Sequence, residues 1–194
     1  MNLVAAVIEL KDGEKIKWSI GYKERLLVKN DYDLKHFQTI TMGADKTVVY
    51  GRKTLETFPG KKPLKGRNNL VLTHDQNYVI DGATIIHDLS ELDRYFKHKT
   101  DPKTGEEYVS SENIYVIGGA SIYNQLYDKC EYAFITHFES TGKEKADAFI
   151  PNLAEDANWE IVEETPAVTY DGVAMRFVTY RNLAFFPKPE EDVD

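Results

Sequence analysis

The chain has 194 residues, 42% of them hydrophobic and 29% charged, with a formal net charge of −8. These values fit one ordinary globular domain and exclude wholesale disorder, collagen and coiled coil. The acidic balance argues against a nucleic-acid partner or an anionic membrane, no apolar run approaches the about 20 residues of a membrane span, and one cysteine, Cys130, makes neither an internal disulfide nor a zinc site.

In chain order, residues 3–10 (LVAAVIEL) form a short apolar run stopped by Lys11-Asp12-Gly13, which predicts a buried strand. The opening turns polar after Leu10 and lacks a basic leader, so no signal peptide is expected. From there to Lys29 no clean period is found, and the stretch reads as a long loop. Asn30 or Asp31 can cap a helix over DYDLKHFQTI, with Leu34, Phe37 and Ile40 on one face and Asp33 beside them. TVVYG (47–51) reads as a strand that runs into a helix over GRKTLETF. NNLVLT (68–73) and ATIIHD (83–88) are strand-like, and SELD (90–93) has capping-box spacing, predicting a helix to about Lys99.

Residues 100–112 are polar and turn-rich, an exposed excursion. IYVIGG (114–119) reads as a central strand, ASIYNQLYDKC as a helix and YAFITHF (132–138) as a further strand. Beyond Pro151, NWEIVEE and AMRFVTYRN alternate around a turn at Asp171-Gly172, the pattern of a hairpin at a sheet edge. The tail FFPKPEEDVD is acidic and expected to fray. The sum is an α/β single domain: about eight strands in a mostly parallel twisted sheet with an antiparallel C-terminal edge, and about four helices.

Two strand-to-helix turns suit phosphate. In VIGGASIY (116–123) the glycines bare the backbone, and a helix then starts at Ala120-Ser121 with free N–H groups. In YGRKT (50–54), Arg52, Lys53 and Thr54 stand at the next helix start. Basic residues are disfavoured there on dipole grounds, which points to an anionic ligand. Two such turns suggest a dinucleotide, although Gly-Gly after a strand also serves as a plain tight turn. G-x-G-x-x-G is absent, so a standard Rossmann site is disfavoured. Asp33 is either an exposed first-turn aspartate or a pocket carboxylate facing an amidine-like edge such as that of a pterin. The sequence leaves both open.

The motifs LVAAV, IG, NDYDLKHF, YGRKTLETF, KKPLKGRNNLVLT, VIGGASIY, ITHFES and KADAFIP follow one another in an order that resembles dihydrofolate reductase, from Asn2 to about Tyr180. The resemblance implies a reductase-like domain over residues 1–182 with an acidic tail over 183–194. It implies reduction of 7,8-dihydrofolate by NADPH, with hydride transfer to pterin C6 and protonation at N5. In that likeness Asp33 and Thr136 are catalytic. The substrate site comprises Val4, Ala5, Ala6, Asp33, Phe37, Leu64, Arg67, Ile117 and Thr136, with Arg67 on the glutamate α-carboxylate. The cofactor site comprises Ala6, Ile20, Gly21, Arg52, Lys53, Thr54, Thr73, His74, Ile117, Gly118, Gly119, Ala120, Ser121, Ile122 and Tyr123.

The likeness has departures. The family has Leu-Pro-Trp where Leu26, Leu27 and Val28 stand here, and the Val28 side chain has no indole N–H to hold a water. Trp18 has no assigned role. The implied protein is a cytoplasmic monomer that takes a small-molecule substrate, with no nucleic acid, membrane or metal. The alternatives are an NADPH-dependent pyrimidine reductase of the same fold and a non-catalytic folate-binding paralogue.

Overall fold

The computed structural model describes residues 1–100, 105 and 107–185. Strand β1 (Asn2–Asp12) is buried along most of its first seven residues, as its apolar run requires. It turns at Gly13 into β2 (Lys15–Tyr22), which pairs antiparallel with it, Ile8 opposite Ser19 and Asp12 opposite Lys15. A short β3 (Arg25–Leu26) folds back on β2. The expected loop is therefore largely strand. Its period was hidden because Trp18 and Ser19, consecutive residues on opposite faces, are both buried, and Ser19 Oγ donates to Ile8 O (2.6 Å).

Helix α1 (Asp31–Thr41) is capped by Asn30, whose side chain accepts from the N–H groups of Tyr32 (2.9 Å) and Asp33 (3.4 Å). Strand β4 (Thr47–Gly51) leads into α2 (Arg52–Leu55), a helix of only four residues. Strands β5 (Asn68–Leu72) and β6 (Thr84–Ile86) follow. The helix predicted to Lys99 is instead a 3₁₀ turn over Leu89–Tyr95. Its capping box is Asp88 with Glu91, two residues before the pair the sequence suggested. The chain beyond it pairs β7 (Lys97–Thr100) antiparallel with β8 (Glu107–Ser110), mostly exposed residues within or beside the excursion expected over 100–112.

Strand β9 (Ile114–Gly118), α3 (Ala120–Leu126), a 3₁₀ turn over Tyr127–Lys129 and β10 (Tyr132–Phe138) keep the predicted order. Then come β11 (Ala148–Ile150), β12 (Trp159–Glu164), β13 (Val168–Tyr170) and β14 (Val173–Asn182). The Asp171-Gly172 turn joins β13 to β14, while β12 pairs further along β14, Trp159 opposite Asn182.

The main path of the sheet is β12-β14-β10-β1-β9-β4-β5-β6. From β10 to β6 every neighbouring pair is parallel, and β14 and β12 close the other side antiparallel. Eight strands on this path, with β2, β3, β11 and β13 branching from β1, β2 and β14 and with β7 and β8 forming a separate two-stranded sheet, are the expected α/β architecture. Because β9 and β4 are neighbours, the turns that lead into α3 and α2 open side by side at the carboxyl ends of the strands. That is where ligands bind in open α/β sheets. Leu183 N donates to Asn158 O (2.7 Å), so the body still holds the chain just beyond the predicted tail boundary. The expected fraying of the tail falls on residues 186–194, outside the described residues.

Candidate active site

The site begins with the cap of α1. Asn30 fixes the first turn, and Asp33 then faces inward beside Ala6, Ile20, Leu27 and Val28, which line a small cavity with it. Asp33 is half-buried and bonded to the Thr136 side chain. Burial pushes its carboxyl above the usual aspartate range, and the Thr136 bond partly opposes that rise. Asp33 is thus no solvated first-turn residue. Strand pairing brings its partner into place: β1 and β10 run parallel with Ala6 opposite Thr136, Ala5 opposite Ile135 and Val4 opposite Phe134.

Beside this carboxyl the wall is apolar. Val4 and Ile117 belong to one buried cluster, against which Phe37 and Leu64 pack. Tyr123 is buried and its hydroxyl donates to Val4 O (2.6 Å), tying α3 to β1. Burial, reinforced by the charge of Asp33, raises its phenol above the usual range, so it stays a neutral donor. At the far rim, the Arg67 guanidinium donates to Thr41 Oγ1 and to Lys65 O (3.2 Å) and lies 5.7 Å from the Phe37 ring centroid. It is half-buried, and desolvation weakens its hold on its proton.

The other wall is backbone. The Gly118–Gly119 peptide is cis, and Gly118 has φ +125°. A Cβ on Gly119 would meet Thr54 Oγ1 at 3.1 Å, and one on Gly118 would meet the Tyr123 ring at 3.4 Å. Ile122 packs against Gly51, so the two predicted turns touch. Ala120 and Ser121 open α3 on this side. Arg52 pairs with Glu56 (2.7 Å) and lies 5.8 Å from the Tyr78 ring centroid, and Lys53 pairs with Glu24 (2.8 Å). These basic residues therefore have carboxylate partners within the chain. Thr73 is buried at the end of β5, and His74 beside it is exposed.

The predicted residues thus fall into two groups: Val4, Ala5, Ala6, Asp33, Phe37, Leu64, Arg67, Ile117 and Thr136 in one, the two turns in the other. Ile20 and Gly21 lie on β2 over the cavity edge. A Cβ on Gly21 would meet Arg25 O at 2.9 Å, so glycine is required there. Two residues escaped the sequence reading. His87 stands just past β6, its Nδ1 2.8 Å from Thr73 O, and only the parallel pairing of Leu72 with Ile86 reveals that proximity. Asp147 accepts from Lys23 N through both oxygens (3.0 and 3.2 Å) and donates from its own N–H to Gly21 O (3.1 Å), bracing the β2–β3 turn. Trp18 lies outside the site: it is 1% exposed, with His137 and Tyr180 edge-on to its ring at 4.9 and 5.6 Å.

A parallel sheet with paired glycine and basic turns at its carboxyl ends, together with a half-buried carboxyl in an apolar cavity, defines a nucleotide-binding α/β protein. The family model described as Dihydrofolate reductase matches residues 8–182. The dihydrofolate reductase of Staphylococcus aureus (strain Mu50 / ATCC 700699) is 30% identical over 142 residues, 73% of this chain and 76% of that protein. That of Mycobacterium tuberculosis (strain CDC 1551 / Oshkosh) is 31% identical over 134 residues, 69% of this chain and 67% of that protein. Among solved structures, dihydrofolate reductase from Enterococcus faecalis complexed with NADP(H) and RAB-propyl superposes with a TM-score of 0.68 at 27% identity, covering 93% of this chain and 95% of that one.

The chain belongs to the dihydrofolate reductase family. Its activity is the reduction of dihydrofolate to tetrahydrofolate, as the resemblance implied.

Proposed function

We propose that 7,8-dihydrofolate binds with its pterin against Asp33 and its glutamate α-carboxylate on Arg67, and that NADPH binds along the two turns. The observation that carries this reading is Asp33: one half-buried carboxyl, bonded to Thr136 and lining a small cavity with Ala6 and Ile20. The turn fits a dinucleotide because its backbone carries no side chain, in a place where a Cβ would sit tightly against Thr54 or Tyr123. Gly118, Gly119, Ala120, Ser121 and Ile122 would hold the pyrophosphate, with Thr54 beside them. Arg52, Lys53, Thr73 and His74 would take the remaining phosphates, with Ile20, Gly21, Ile117 and Tyr123 around the nicotinamide. When bound, the cofactor supplies the hydride.

The chain's own residues then have separable tasks. Asp33 orients the pterin by a charge-assisted pair and stabilises the positive charge that develops as N5 is protonated. Thr136 holds the Asp33 carboxyl in place. Val4, Ala5, Ala6, Phe37, Leu64 and Ile117 exclude water and strengthen that charge interaction. Arg67 binds a remote carboxylate and so fixes the ring's position without touching the reacting atoms.

The reading extends to a monomer in the cytoplasm, one domain over residues 1–182, with no nucleic-acid partner. The charge of −8 supports the absence of a nucleic-acid partner, and among the described residues no helix is long and apolar enough to cross a membrane. The test is the loss of nicotinamide absorbance with dihydrofolate and NADPH, run against NADH. A clear preference for NADPH, eroded about tenfold or more by Arg52→Ala, is the expected result, and equal efficiency with both cofactors would overturn the cofactor assignment.

A further inference from the structure

Strand β2 leaves the centre of the sheet at one defined point. Its pairing with β1 ends where Ser19 stands opposite Ile8. The next residue, Ile20, falls at a register shift: β11 advances one residue from Ala148 to Phe149 while β2 spans two, from Gly21 back to Ser19. From Gly21 onward the strand partners of β2 are β11 and the short β3. Ile20 and Gly21, proposed around the nicotinamide, therefore depend for their position on how Trp18 and Ser19 are fixed.

Trp18 is fixed by a buried titratable group that has no task in the reaction so far. His137 follows Thr136 on β10, and its side chain is 2% exposed. Its ring is edge-on to the indole at 4.9 Å, with Tyr180 at 5.6 Å. Among the described residues neither Trp18 Nε1 nor His137 Nδ1 has a hydrogen-bond partner. Enclosed, unpartnered polar atoms cost stability, so two apolar rings would serve the fold better. Charged groups surround the imidazole from three strands. Glu9 Oε1 on β1 is 2.9 Å from Nδ1, out of line for a hydrogen bond. Arg176 on β14 lies 3.6 Å from that same oxygen and 2.8 Å from Glu164 on β12. The Tyr180 hydroxyl is 3.3 Å from Nε2, and burial pushes its phenol up to about 12, so it adds no charge. Burial, then the charge of Arg176, holds the imidazole below its usual range, and Glu9 and Glu164 oppose that.

We propose that Trp18 and His137 are positioning residues for the reaction: the indole, seated on the imidazole, fixes β2 where it leaves β1 and so sets Ile20 and Gly21 over bound cofactor. The anchor depends on one proton. A neutral ring packs as an aromatic side chain. A charged ring needs solvation in a space closed to water, and lifting Trp18 and β2 away supplies it. The folded protein holds this proton less tightly than the unfolded chain does. The anchor is therefore intact above the ordinary histidine value, about pH 6.5, and is lost as pH falls through the lowered one. The inference rests on the placement of the nicotinamide beside Ile20 and Gly21.

The test measures the rate at which NADPH leaves the enzyme, followed by fluorescence after displacement, between pH about 8 and about 5. The parent rate should rise about tenfold as pH falls, and in His137→Phe, which keeps a ring but no proton, it should stay nearly flat. Titration elsewhere, at Asp33 or His74, is common to both proteins and leaves their difference intact. Glu9→Gln removes the carboxylate that favours the charged ring, so the midpoint should move to lower pH. At pH about 8, Trp18→Leu should release NADPH about tenfold faster, and Trp18→Phe should recover most of the parental rate. Ile20→Ala tests the placement itself. If Ile20→Ala speeds release and Trp18→Leu does not, the anchor falls, even where the melting temperature drops. If neither speeds it, the placement of the nicotinamide falls, and the inference with it. A pH dependence that survives in His137→Phe, or a midpoint unmoved by Glu9→Gln, also overturns the inference. Should Trp18→Leu fail to fold, the pH comparison decides alone.

Discussion

At the α3 side of the cleft, what matters is the absence of side chains: Gly118 and Gly119 leave backbone open within a methyl's width of Thr54 and Tyr123. At the α1 side, side chains are held by other side chains, Asp33 by Thr136 and Arg67 by Thr41. The first wall encodes shape and the second encodes charge. Damage should differ accordingly. Adding a methyl should hurt the first wall, and an isosteric loss of charge should hurt the second.

The largest expected effect breaks the charged wall. Asp33→Asn keeps size and polarity but removes the carboxylate. We expect kcat near neutral pH to fall by about 100-fold or more, about 1.4 kcal/mol for each tenfold, with NADPH affinity unchanged. Activity should recover partly as pH falls and substrate arrives already protonated. The same variant should melt higher than the parent at neutral pH. Burial raises the folded-state pKa of Asp33, so the native protein holds that proton more tightly than the unfolded chain does. Stability is therefore lost as pH rises from the ordinary aspartate value through the raised one, and asparagine removes that loss. At pH about 3, where both states are protonated, the two proteins should melt alike. Parental turnover at pH 7 would remove Asp33 from the mechanism.

The shape wall is tested next by Gly118→Ala. With φ at +125° and the Tyr123 ring 3.4 Å from the added carbon, the variant carries backbone strain of about 1–3 kcal/mol. NADPH binding, followed by fluorescence, should weaken about 10- to 100-fold, with a lowered melting temperature. Parental affinity would show that the bare backbone is a fold requirement alone. Arg67→Lys should act more mildly. A lysine cannot reproduce the planar fork, so dihydrofolate KM should rise about tenfold while kcat changes little, because a remote contact binds ground and transition states alike.

Much of this division was legible in the sequence. Gly118-Gly119, Arg52-Lys53 and the apolar stripe of α1 are local patterns, and each stands where chain order placed it. Asp33 was visible as a candidate, but not its burial, because that depends on Ala6 lying opposite Thr136 across two strands distant in sequence. Strand β2 was missed because both of its faces are covered at Trp18 and Ser19, which erases alternation. The 3₁₀ turn over Leu89–Tyr95 read as a longer helix because its cap, Asp88, lies upstream of the Ser90-to-Asp93 spacing that drew attention. His87 and Asp147 act through partners fixed by tertiary pairing, for which a linear pattern holds no signal.

The smallest expected effect concerns a point where the two walls resemble each other. Helix α2 has only four residues, so little dipole acts there, and any phosphate must be drawn by the side chains of Arg52 and Lys53. Those side chains are already engaged. Glu24 on the β2–β3 turn takes Lys53 at 2.8 Å, and the hydrogen bond, then the charge of Lys53, holds the Glu24 carboxyl below its usual range and raises the ammonium. A phosphate on Lys53 must compete with that carboxylate. Glu24→Gln removes the competing charge but keeps a polar group of similar size. The turn itself should stay in place, because Asp147 still accepts from Lys23 N and donates to Gly21 O. We therefore expect KM for NADPH to fall by about two- to threefold at low salt, the scale of an exposed pair, and the difference to fade near 0.5 M salt. Because the Glu24 pKa is depressed, the difference should persist to pH about 5 and disappear only below the ordinary carboxylate range. A KM that rises instead would mean that the Glu24–Lys53 pair works as a clasp, holding the turn over bound cofactor, and the α2 wall would then depend on a bond between its own side chains just as the α1 wall does.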